Sequence, residues 1–500
     1  MSRVTEVYLL YVPLSPKQNE TFLFNSTTEQ RTFFHARTKH AYNNLSIQRQ
    51  NNIIKIPEFF ENITDCNYVM FRNNGESKWY YAFITKYNYI NDNCTEINYK
   101  IDCLQTYQFN YTIKPSFVER EHVNDDTIGK NTVNEGIELG ELKRFERNFN
   151  TGLTDLVYIM GSKYTIEEDG SVTEYGGTIR NGMLSCIGLR KYEKSEAFTL
   201  LEDIQKIENK KENSILFISA IPRFCLSTVV GSGRNINNTN GIPSKEIKPQ
   251  IYLNSIDGYV PKNNKLFTYP FSSLVVSNNN GQQILLKIED FEVNEPRFYI
   301  KTFLGSQPVF KIIPYNYKGT GLNYDNSIDF VTFPQIEYTT EAYKSFLNSS
   351  MNGIFSNLIA TGVNIYSGNT IGALLSASNT ATSISNYNLK SDNINGSGVT
   401  GQLSLLDNKD FSFYQQTIQN EHAKIIDEYF SRFGYEVDRV KVPNLRGRQA
   451  FNYVKTKNVL IVGEIPYSYL EEIQDIFDRG ITFWHDFENF GDYNIDNPII

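Results

Sequence analysis

The feature that most restricts how this chain can fold is a long stretch without ionisable side chains. Between Lys344 and Lys390 there is no Asp, Glu, Lys or Arg, so Ser345–Leu389 is a run of 45 uncharged residues in a chain that is 21% charged. At that charge frequency, a run of this length arises by chance in about one chain in a hundred. A second uncharged run, Asn393–Leu406, follows after Asp392. The absence of charge therefore calls for a structural cause.

Apolar residues in this stretch recur at helical intervals, whereas Asn357, Thr361 and Asn364 fall elsewhere on the helical wheel. Ser367–Asn369 offers a turn, so we expect a hairpin of two amphipathic arms. The residues expected to contact a membrane are Ile354, Phe355, Leu358, Ile359, Val363, Ile365, Tyr366, Ile371, Leu374 and Leu375.

The length of the first arm indicates more than one copy. As a helix, Met351–Tyr366 would span roughly 24 Å, which is short of the roughly 30 Å hydrocarbon core of a bilayer. A single copy would leave Asn and Thr side chains in hydrocarbon, at a cost of about a few kcal/mol each. Several copies in a ring could turn those side chains towards a water-filled centre. The sequence favours an oligomeric pore over a solitary anchor.

A buried helical hairpin and a flexible uncharged loop are the alternatives to a lipid-contacting segment. Burial of the six apolar residues at helical spacing in the first arm contributes on the order of 10 kcal/mol, whichever apolar medium receives them. These six are Ile354, Phe355, Leu358, Ile359, Val363 and Tyr366. This energy therefore does not discriminate between protein and lipid. Surface helices normally keep a charged face, and its absence here favours lipid.

The rest of the chain has the composition of a β-rich protein. Aromatic residues make up 14% of the sequence, with 33 Tyr and 34 Phe, and such residues suit a pleated sheet. We expect a mainly β (α+β), multi-domain fold. Its four parts are an N-terminal β-rich domain over residues 1–115, a second β-rich domain over 116–340, the uncharged hydrophobic loop over 345–406 and a C-terminal α+β unit over 407–500.

Local patterns predict individual elements within these parts. A helix begins at Ser195, another covers about Ser412–Phe433, and a third starts with the capping box Ser468-x-x-Glu471 and ends at Gly480. Strands are predicted where β-branched and aromatic residues lie between turn residues. The clearest strand candidates are Val4–Val12, Ile53–Ile56, Tyr68–Arg72, Trp79–Tyr89, Asn98–Tyr111, Leu156–Met160, Ile215–Ile221, Ile251–Leu253 and Phe298–Phe303.

The charge balance argues against tight, sequence-specific recognition of DNA. The net charge is −8, and no long basic run is present to neutralise phosphates. The basic loop Arg446–Arg448 has only two arginines, which are too few to supply affinity. Passive contact is compatible with this balance, because an acidic wall would repel a passing duplex and let it slide.

The cysteines and the N-terminus point to a protein made in a cytosol. The five cysteines are odd in number and lack C-x-x-C spacing, so we expect buried free thiols in preference to a zinc site or a disulfide framework. The apolar run Val7–Val12 is too short and too alternating for a signal peptide.

No group of residues has the spacing of a catalytic or cofactor site. The charged segment Glu119–Asp126 contains one His and is interpreted as a solvated or inter-subunit ion-pair turn. His35 and His40 lack the H-E-x-x-H pattern, and Trp484–Asp486 has no nucleophile beside it, so core packing is expected there. Val230–Arg234 lacks the remaining residues of a nucleotide-binding loop. We therefore predict no enzyme activity, no catalytic residues, no cofactor and no metal.

Several sequence blocks resemble the tail knob (distal tail tube) proteins of small short-tailed phages of Gram-positive bacteria. The C-terminal block is the more specific, and a segment in the N-terminal half is also similar. The blocks are Tyr429–Tyr435, Pro443-Asn444, Arg448, Phe451–Lys455 and Gly480–His485, with Glu119–Val123 and Asp125-Asp126 in the N-terminal half.

This resemblance implies a homohexameric hollow tube at the distal end of a virion tail. The hydrophobic loops of such a tube plug it before infection and then penetrate the host cytoplasmic membrane, so that phage genomic DNA passes through the lumen. Expected neighbours in the virion are a lower collar (proximal tail tube) protein and a tail-tip cell-wall-degrading protein. The alternative is that the chain is itself a cell-wall-degrading or receptor-binding tail component.

Overall fold

The computed structural model describes most of the chain on either side of the uncharged stretch. The described residues are 5–73, 77–147, 156–180, 183–185, 187–211, 214–226, 229–230, 234–236, 238–239, 244–277, 283–302, 310–318, 328–329, 335–337 and 412–500.

Strands dominate these residues. The strands of the first 147 residues are β1 (Glu6–Leu10), β2 (Glu20–Phe22), β3 (Thr38–Asn43), β4 (Ile47–Gln48), β5 (Ile53–Ile56), β6 (Tyr68–Arg72), β7 (Tyr80–Asn91), β8 (Cys94–Ile101), β9 (Tyr111–Ile113), β10 (Ser116–Glu121) and β11 (Leu142–Arg147). Those of the middle are β12 (Leu156–Ser162), β13 (Tyr164–Ile166), β14 (Val172–Glu174), β15 (Thr178–Arg180), β16 (Met183–Ser185), β17 (Gly188–Tyr192), β18 (Ile215–Pro222), β19 (Val229–Val230), β20 (Asn235–Ile236), β21 (Asn238–Thr239), β22 (Ser244–Ile247), β23 (Ser272–Ser277), β24 (Gln283–Leu286), β25 (Phe298–Thr302), β26 (Phe310–Pro314), β27 (Ile328–Asp329) and β28 (Gln335–Glu337). The C-terminal strands are β29 (Ser412–Ile418), β30 (Tyr435–Lys441), β31 (Phe451–Lys457), β32 (Ile461–Gly463) and β33 (Ile481–Trp484).

Helices are fewer and mostly short. The α-helices are α1 (Thr27–His35), α2 (Phe60–Ile63), α3 (Cys103–Tyr107), α4 (Ala197–Lys210), α5 (Asn420–Phe433) and α6 (Tyr467–Arg479). Turns of 3₁₀-helix lie at Lys194–Glu196, Arg223–Leu226, Asn264–Phe267, Ile288–Asp290 and Glu292–Asn294. Among the described residues, no helix combines the length and the apolar character needed to cross a membrane.

The chain divides into two compact units. Unit 1 is assembled from Met1–Gly140, Gly258–Leu266 and Asn420–Ile500, and unit 2 from Glu141–Asp257 and Phe267–Gln419. Each unit therefore combines segments that are far apart in sequence.

The larger sheet of unit 1 is antiparallel and is covered on both faces. Its strand order is β3-β1-β6-β7-β8-β5-β4. Successive residues of β6 alternate between two hydrophobic clusters, with Val69 and Phe71 in one and Tyr68 and Met70 in the other. This alternation follows from the two-residue period of a strand. The predicted strands Ile53–Ile56 and Tyr68–Arg72 are confirmed.

The second sheet of unit 1 joins the two ends of the chain. Its order is β2-β33-β31-β10-β30, and β2 runs parallel to β33, with Phe22 opposite Trp484. Helix α6 buries Ile473, Ile476 and Phe477 in a cluster with residues of this sheet.

Three sheets of unit 2 share one hydrophobic cluster. Their orders are β11-β29-β23-β24, β20-β17-β12-β18-β28 and β22-β25-β26-β27. The cluster includes Ile159 from β12, Leu274 from β23 and Ile300 from β25. The helix predicted from Ser195 is confirmed as α4, in which Ile204 and Ile207 are buried.

Some predicted elements were wrong. Ser412–Ile418 is the strand β29 and not the start of a helix, because β11 and β23 pair with it on either side. Ile251–Leu253 forms no strand. Asn98–Tyr111 is not one strand, since β8 ends at Ile101 and α3 follows, with Asp102 accepting a hydrogen bond from the Gln105 backbone N–H.

The third predicted helix is confirmed in extent but not in its cap. Helix α6 begins after Pro466, which has no side chain to cap it, so the capping box at Ser468 was wrong. The predicted stop at Gly480 is confirmed, and its φ of +96° favours glycine. The mainly β, multi-domain fold class is confirmed.

Candidate functional site

The structure describes the strands that come before and after the uncharged stretch in the sequence. The ten residues expected to contact a membrane all lie in 338–411, outside the described residues. The described strands on either side are β28 and β29, and both belong to unit 2. Strand β28 lies at the edge of one sheet beside β18, and β29 lies inside another between β11 and β23. In the sequence, the uncharged stretch therefore lies between two strands of unit 2.

The strand that follows the uncharged stretch, β29, is held firmly in unit 2. Phe413 is fully buried, with its ring centroid 4.8 Å from that of Phe298. The Gln415 side chain donates to the Tyr252 carbonyl at 2.7 Å and accepts from the Tyr252 backbone N–H at 3.0 Å. The Arg147 guanidinium also donates to Gln415 Oε1, at 2.7 Å. Because Gln415 is buried and its side-chain amide is bonded at both its oxygen and its nitrogen, β29 forms a fixed anchor for the chain that precedes it.

The first half of the charged segment Glu119–Asp126 is ordered and half-buried or buried, whereas the sequence predicted a turn that is solvated or forms ion pairs between subunits. Its first residues end β10, and Glu121 is fully buried. The Glu121 carboxylate pairs with Lys441 and accepts from the Asn444 backbone N–H at 2.9 Å. Lys455 pairs with Glu119 at 2.5 Å. These ion pairs lie within one chain and join β10 to the C-terminal segment.

His122 is held as a neutral imidazole. Its ring is buried, Nδ1 accepts from the Tyr453 backbone N–H at 2.7 Å, and Nε2 lies 3.0 Å from the Ser431 carbonyl. A carbonyl can only accept, so Nε2 carries the proton. Burial, with a smaller effect from the Arg448 charge, lowers the pKa of His122 to about 3. Both nitrogens are engaged, and the ring therefore has a structural role in unit 1.

Asp427 of α5 organises the return segment Gly258–Leu266. Its carboxylate accepts from the Tyr259 hydroxyl at 2.8 Å, from the Lys262 N–H at 2.7 Å and from the Asn263 N–H at 3.0 Å. The Asn263 side-chain amide also donates to this carboxylate, at 2.8 Å, so one buried carboxylate satisfies four donors and fixes the segment on the helix.

A buried ion-pair group lies beside this segment. Lys265 and Glu135 each have a side chain that is 1% exposed, and they form a salt bridge. Arg120 also pairs with Glu135, and its NH1 group donates to the Gly434 carbonyl at 2.8 Å. Burial lowers the pKa of Lys265, while Glu135 opposes that effect. Buried charges of this kind persist only when they are paired.

A cavity of about 360 Å³ in unit 1 has the side chains of an active site but not their arrangement. Its lining includes His122, Asp126, Ser431 and Arg448. The Ser431 hydroxyl accepts from Asn263, and Asp126 accepts from the Asn264 N–H. Since both nitrogens of His122 are also bonded, these lining residues offer no nucleophile with a free base beside it.

Two further sequence candidates are also structural. Trp484 is fully buried, which confirms the core packing expected there, and His485 Nε2 lies 3.3 Å from Asn452 Oδ1. The guanidinium of Arg446 donates to the Phe24 carbonyl at 2.8 Å and to Asn25 Oδ1 at 2.7 Å. The basic loop is thus tied into unit 1.

Sequence spacing missed one group of potential ligands. His40, Asp65 and Cys66 place one ligand atom each within 4.8 Å of one another. His40 lies 25 positions before Asp65, so no short motif could reveal the group.

Comparisons with known proteins identify the family. Residues 236–498 match the family described as Bacillus phage phi29 tail knob protein gp9, C-terminal domain, which is more than half of the chain. The chain belongs to the tail knob protein gp9 family. Residues 3–112 match the family described as caudoviral major tail protein N-terminus.

Individual tail knob proteins are similar over nearly the whole chain. The tail knob protein gp9 of Bacillus phage PZA is 25% identical and that of Bacillus phage phi29 24% identical, each over 98% of this chain and 97% of the relative. The solved tail knob protein gp12 of bacteriophage C1 has the same fold, with a TM-score of 0.68 at 15% identity, over 99% of this chain and all of that one. The protein is thus a structural tail knob component of a virion.

Several of the residues that carried the resemblance to tail knob proteins are core residues of unit 1. Tyr435, Phe451 and Trp484 are each no more than 1% exposed, and the rings of Phe451 and Trp484 lie 4.7 Å apart. In this tail knob protein, these three residues of the blocks contribute to the packing of unit 1.

Proposed function

We propose that this tail knob protein is a subunit of a hollow distal tail tube, and that its loop 345–406 penetrates the host cytoplasmic membrane to open a path for DNA. The observation that carries the proposal is the uncharged insertion between two strands of unit 2. Membership of the tail knob family places the chain at the tail of a virion.

The anchoring of the insertion supports movement of the loop without unfolding of the unit. Strand β29, which follows the loop in the sequence, has neighbours on both sides and a buried ring, Phe413. A loop leaving such a sheet can change its surroundings while the sheet keeps its hydrogen bonds. The same loop could then plug the lumen before infection and meet lipid afterwards.

Oligomerisation is supported by an exposed sheet edge in unit 1. Strand β30 ends the order β2-β33-β31-β10-β30, so one side of its backbone has no strand neighbour among the described residues. Val440 on this strand is 69% exposed, and Val442 just beyond it is 52% exposed. An unpaired strand edge is a surface on which another chain can add a strand. We propose that it contacts a neighbouring copy, in a ring that is six-fold by resemblance to tail knob proteins.

The remaining parts of the proposal concern neighbours in the virion. We propose contacts with a lower collar (proximal tail tube) protein and with a tail-tip cell-wall-degrading protein, after synthesis in the host cytoplasm. Genomic DNA would pass without sequence-specific binding, which is consistent with a net charge of −8. We propose no enzyme activity, no cofactor and no metal for this role.

Dye leakage from liposomes tests the membrane step. Assembled wild-type protein is expected to release dye after an activating treatment such as acid, whereas a variant lacking 345–406 should form the same rings by electron microscopy and release none. Leakage by rings without the loop would refute the proposed role of the loop.

A matched pair of substitutions tests the pore arrangement. Leu358→Asp puts a charge on the predicted lipid-facing stripe, at a cost of about 2.5–3.5 kcal/mol per copy at the bilayer centre, and should abolish leakage. Asn357→Asp puts the same charge on the face predicted to line water and should preserve it. Equal leakage by the two variants would contradict an ordered ring of amphipathic arms.

The cell-wall-degrading alternative has its own test. A zymogram on peptidoglycan, with the wild type and a His122→Gln variant, is expected to show no clearing. Clearing by the wild type would make the protein an enzyme.

A further inference from the structure

Three side chains with different ligand atoms meet at one edge of the larger sheet in unit 1. His40 lies on the edge strand β3, while Asp65 and Cys66 lie in the turn just before β6. One ligand atom from each lies within 4.8 Å of the others. The set comprises an imidazole nitrogen, a carboxylate oxygen and a sulfur, which is a donor set that suits Zn²⁺.

The backbone on both sides of this group is fixed. In the pairing of β1 with β3, Leu9 is opposite His40 and Leu10 is opposite Thr38, so Lys39 is the extra residue of a bulge. Bulges change the direction of neighbouring side chains and occur often beside functional sites. On the other side, Asn67 accepts from the Val12 N–H at 2.9 Å and donates to its carbonyl at 2.7 Å. The turn is thereby fastened to the chain that follows β1.

The Asp65 carboxylate is already oriented. Lys39 Nζ holds Oδ2 at 2.5 Å, while Oδ1 lies 3.5 Å from Cys66 Sγ. One oxygen therefore has an outer partner and the other faces the thiol. Outer partners of this kind orient metal ligands in many sites.

The geometry requires only small adjustments. In a tetrahedral zinc site, ligand atoms lie about 3.3–3.6 Å apart, given the usual Zn–N, Zn–O and Zn–S distances. The Asp65 side chain is 54% exposed, so it can rotate towards a metal, whereas Cys66 is 2% exposed and fixed. The exposed side also leaves a path for the ion and a position for water as fourth ligand. The Tyr42 hydroxyl, whose ring stacks on His40, is buried with no hydrogen-bond partner among the described residues.

We propose that His40, Asp65 and Cys66 bind a divalent zinc ion that fastens the edge strand β3 to the turn before β6. The sequence spacing gave no such expectation, and the role proposed for the loop does not depend on it. One zinc ion is expected to bind per chain. Zinc should also raise the urea midpoint of the full-length protein, because a ligand that binds only the folded state stabilises it.

Cobalt(II) substitution tests the site in the full-length protein. Wild-type protein should show the near-ultraviolet charge-transfer band of a thiolate–cobalt bond, and zinc should displace it. Cys66→Ser should lose the band, and His40→Ala should weaken zinc binding by more than about tenfold. Cys94→Ser, which changes a free cysteine at the start of β8, serves as the control and should keep the band.

Two results would overturn the proposal. One is the absence of a thiolate band in the wild type, and the other is a band that survives in Cys66→Ser. His40 is only partly buried, so His40→Ala provides a second variant that keeps its fold if Cys66→Ser does not. A folded His40→Ala variant with wild-type zinc affinity would likewise exclude the site.

Discussion

The buried, neutral His122 predicts that unit 1 loses stability in mild acid. Its pKa is about 3 in the folded protein, against an ordinary value of 6.5. Between these values the unfolded chain binds a proton that the folded chain does not. The free energy of unfolding therefore falls as the pH falls from about 6.5 to about 3. Above about pH 6.5, His122 is neutral in both states and causes no loss of stability.

The size of the effect follows from the pKa difference. Each pH unit below 6.5 costs about 1.4 kcal/mol, so His122 should account for a loss of about 2 kcal/mol at about pH 5. Asp102 acts in the opposite direction, because burial raises its pKa to about 6 and the folded state keeps its proton longer. The total pH dependence of the wild type thus mixes several groups, and a variant is needed to isolate His122.

The substitution His122→Gln isolates the contribution of His122 to the pH dependence of stability. A glutamine amide can donate to the Ser431 carbonyl and accept from the Tyr453 N–H, as the neutral imidazole does, but it does not titrate. The control is Ser431→Ala, which removes the hydroxyl that binds Asn263 but keeps the carbonyl. Ser431→Ala should lower the free energy of unfolding equally at neutral and at mildly acidic pH, so its pH dependence should match that of the wild type.

Tryptophan fluorescence in urea gives the measurement. The chain has two tryptophans, Trp79 and Trp484, and both belong to unit 1, so the signal reports that unit alone. Between about pH 7.5 and about pH 5, His122→Gln should lose about 2 kcal/mol less than the wild type. An equal loss in the two proteins would refute the assignment of a neutral, desolvated His122.

Two further predictions concern the same unit. Glu135→Leu leaves Lys265 buried without that carboxylate and should lower the free energy of unfolding in urea by roughly 3–5 kcal/mol. Adding Lys265→Met should restore much of the loss. No recovery in the double variant would contradict a penalty for burying the unpaired charge. Gly434→Ala should destabilise the unit strongly, because φ is +66° and a Cβ would overlap the Glu121 carbonyl. The control, Gly136→Ala, has a φ of +62° with open space around it and should cost only about 1 kcal/mol. Equal costs of the two substitutions would exclude the overlap as the cause.

Local patterns predicted the elements whose stability is mostly local. The helices α4 and α6 have apolar residues at helical spacing, and the strands Ile53–Ile56 and Tyr68–Arg72 lie between turn residues. Both kinds of pattern are contained in one short window of sequence, where periodicity is informative. The mainly β fold class followed from composition, because Tyr, Phe and Ile favour strands wherever they lie in the sequence.

Elements that depend on distant partners were not predictable in this way. Ser412–Ile418 became a strand because β11 and β23, more than a hundred residues away, pair with it. Glu121 was expected at the surface, yet Lys441 and Asn444 compensate its charge from 320 residues or more along the chain. The group of His40 with Asp65 and Cys66 was hidden in the same way, because two strands and a turn create it.

The parallel pairing of β2 with β33 has a consequence for biosynthesis. Residues 482–484 follow their partners at 20–22 by about 460 positions in the chain. A polypeptide that stops before residue 481 lacks the strand with which β2 and β31 both pair. The second sheet of unit 1 therefore closes only after residues 481–484 have been made, and until then β2 and β31 are without their shared neighbour.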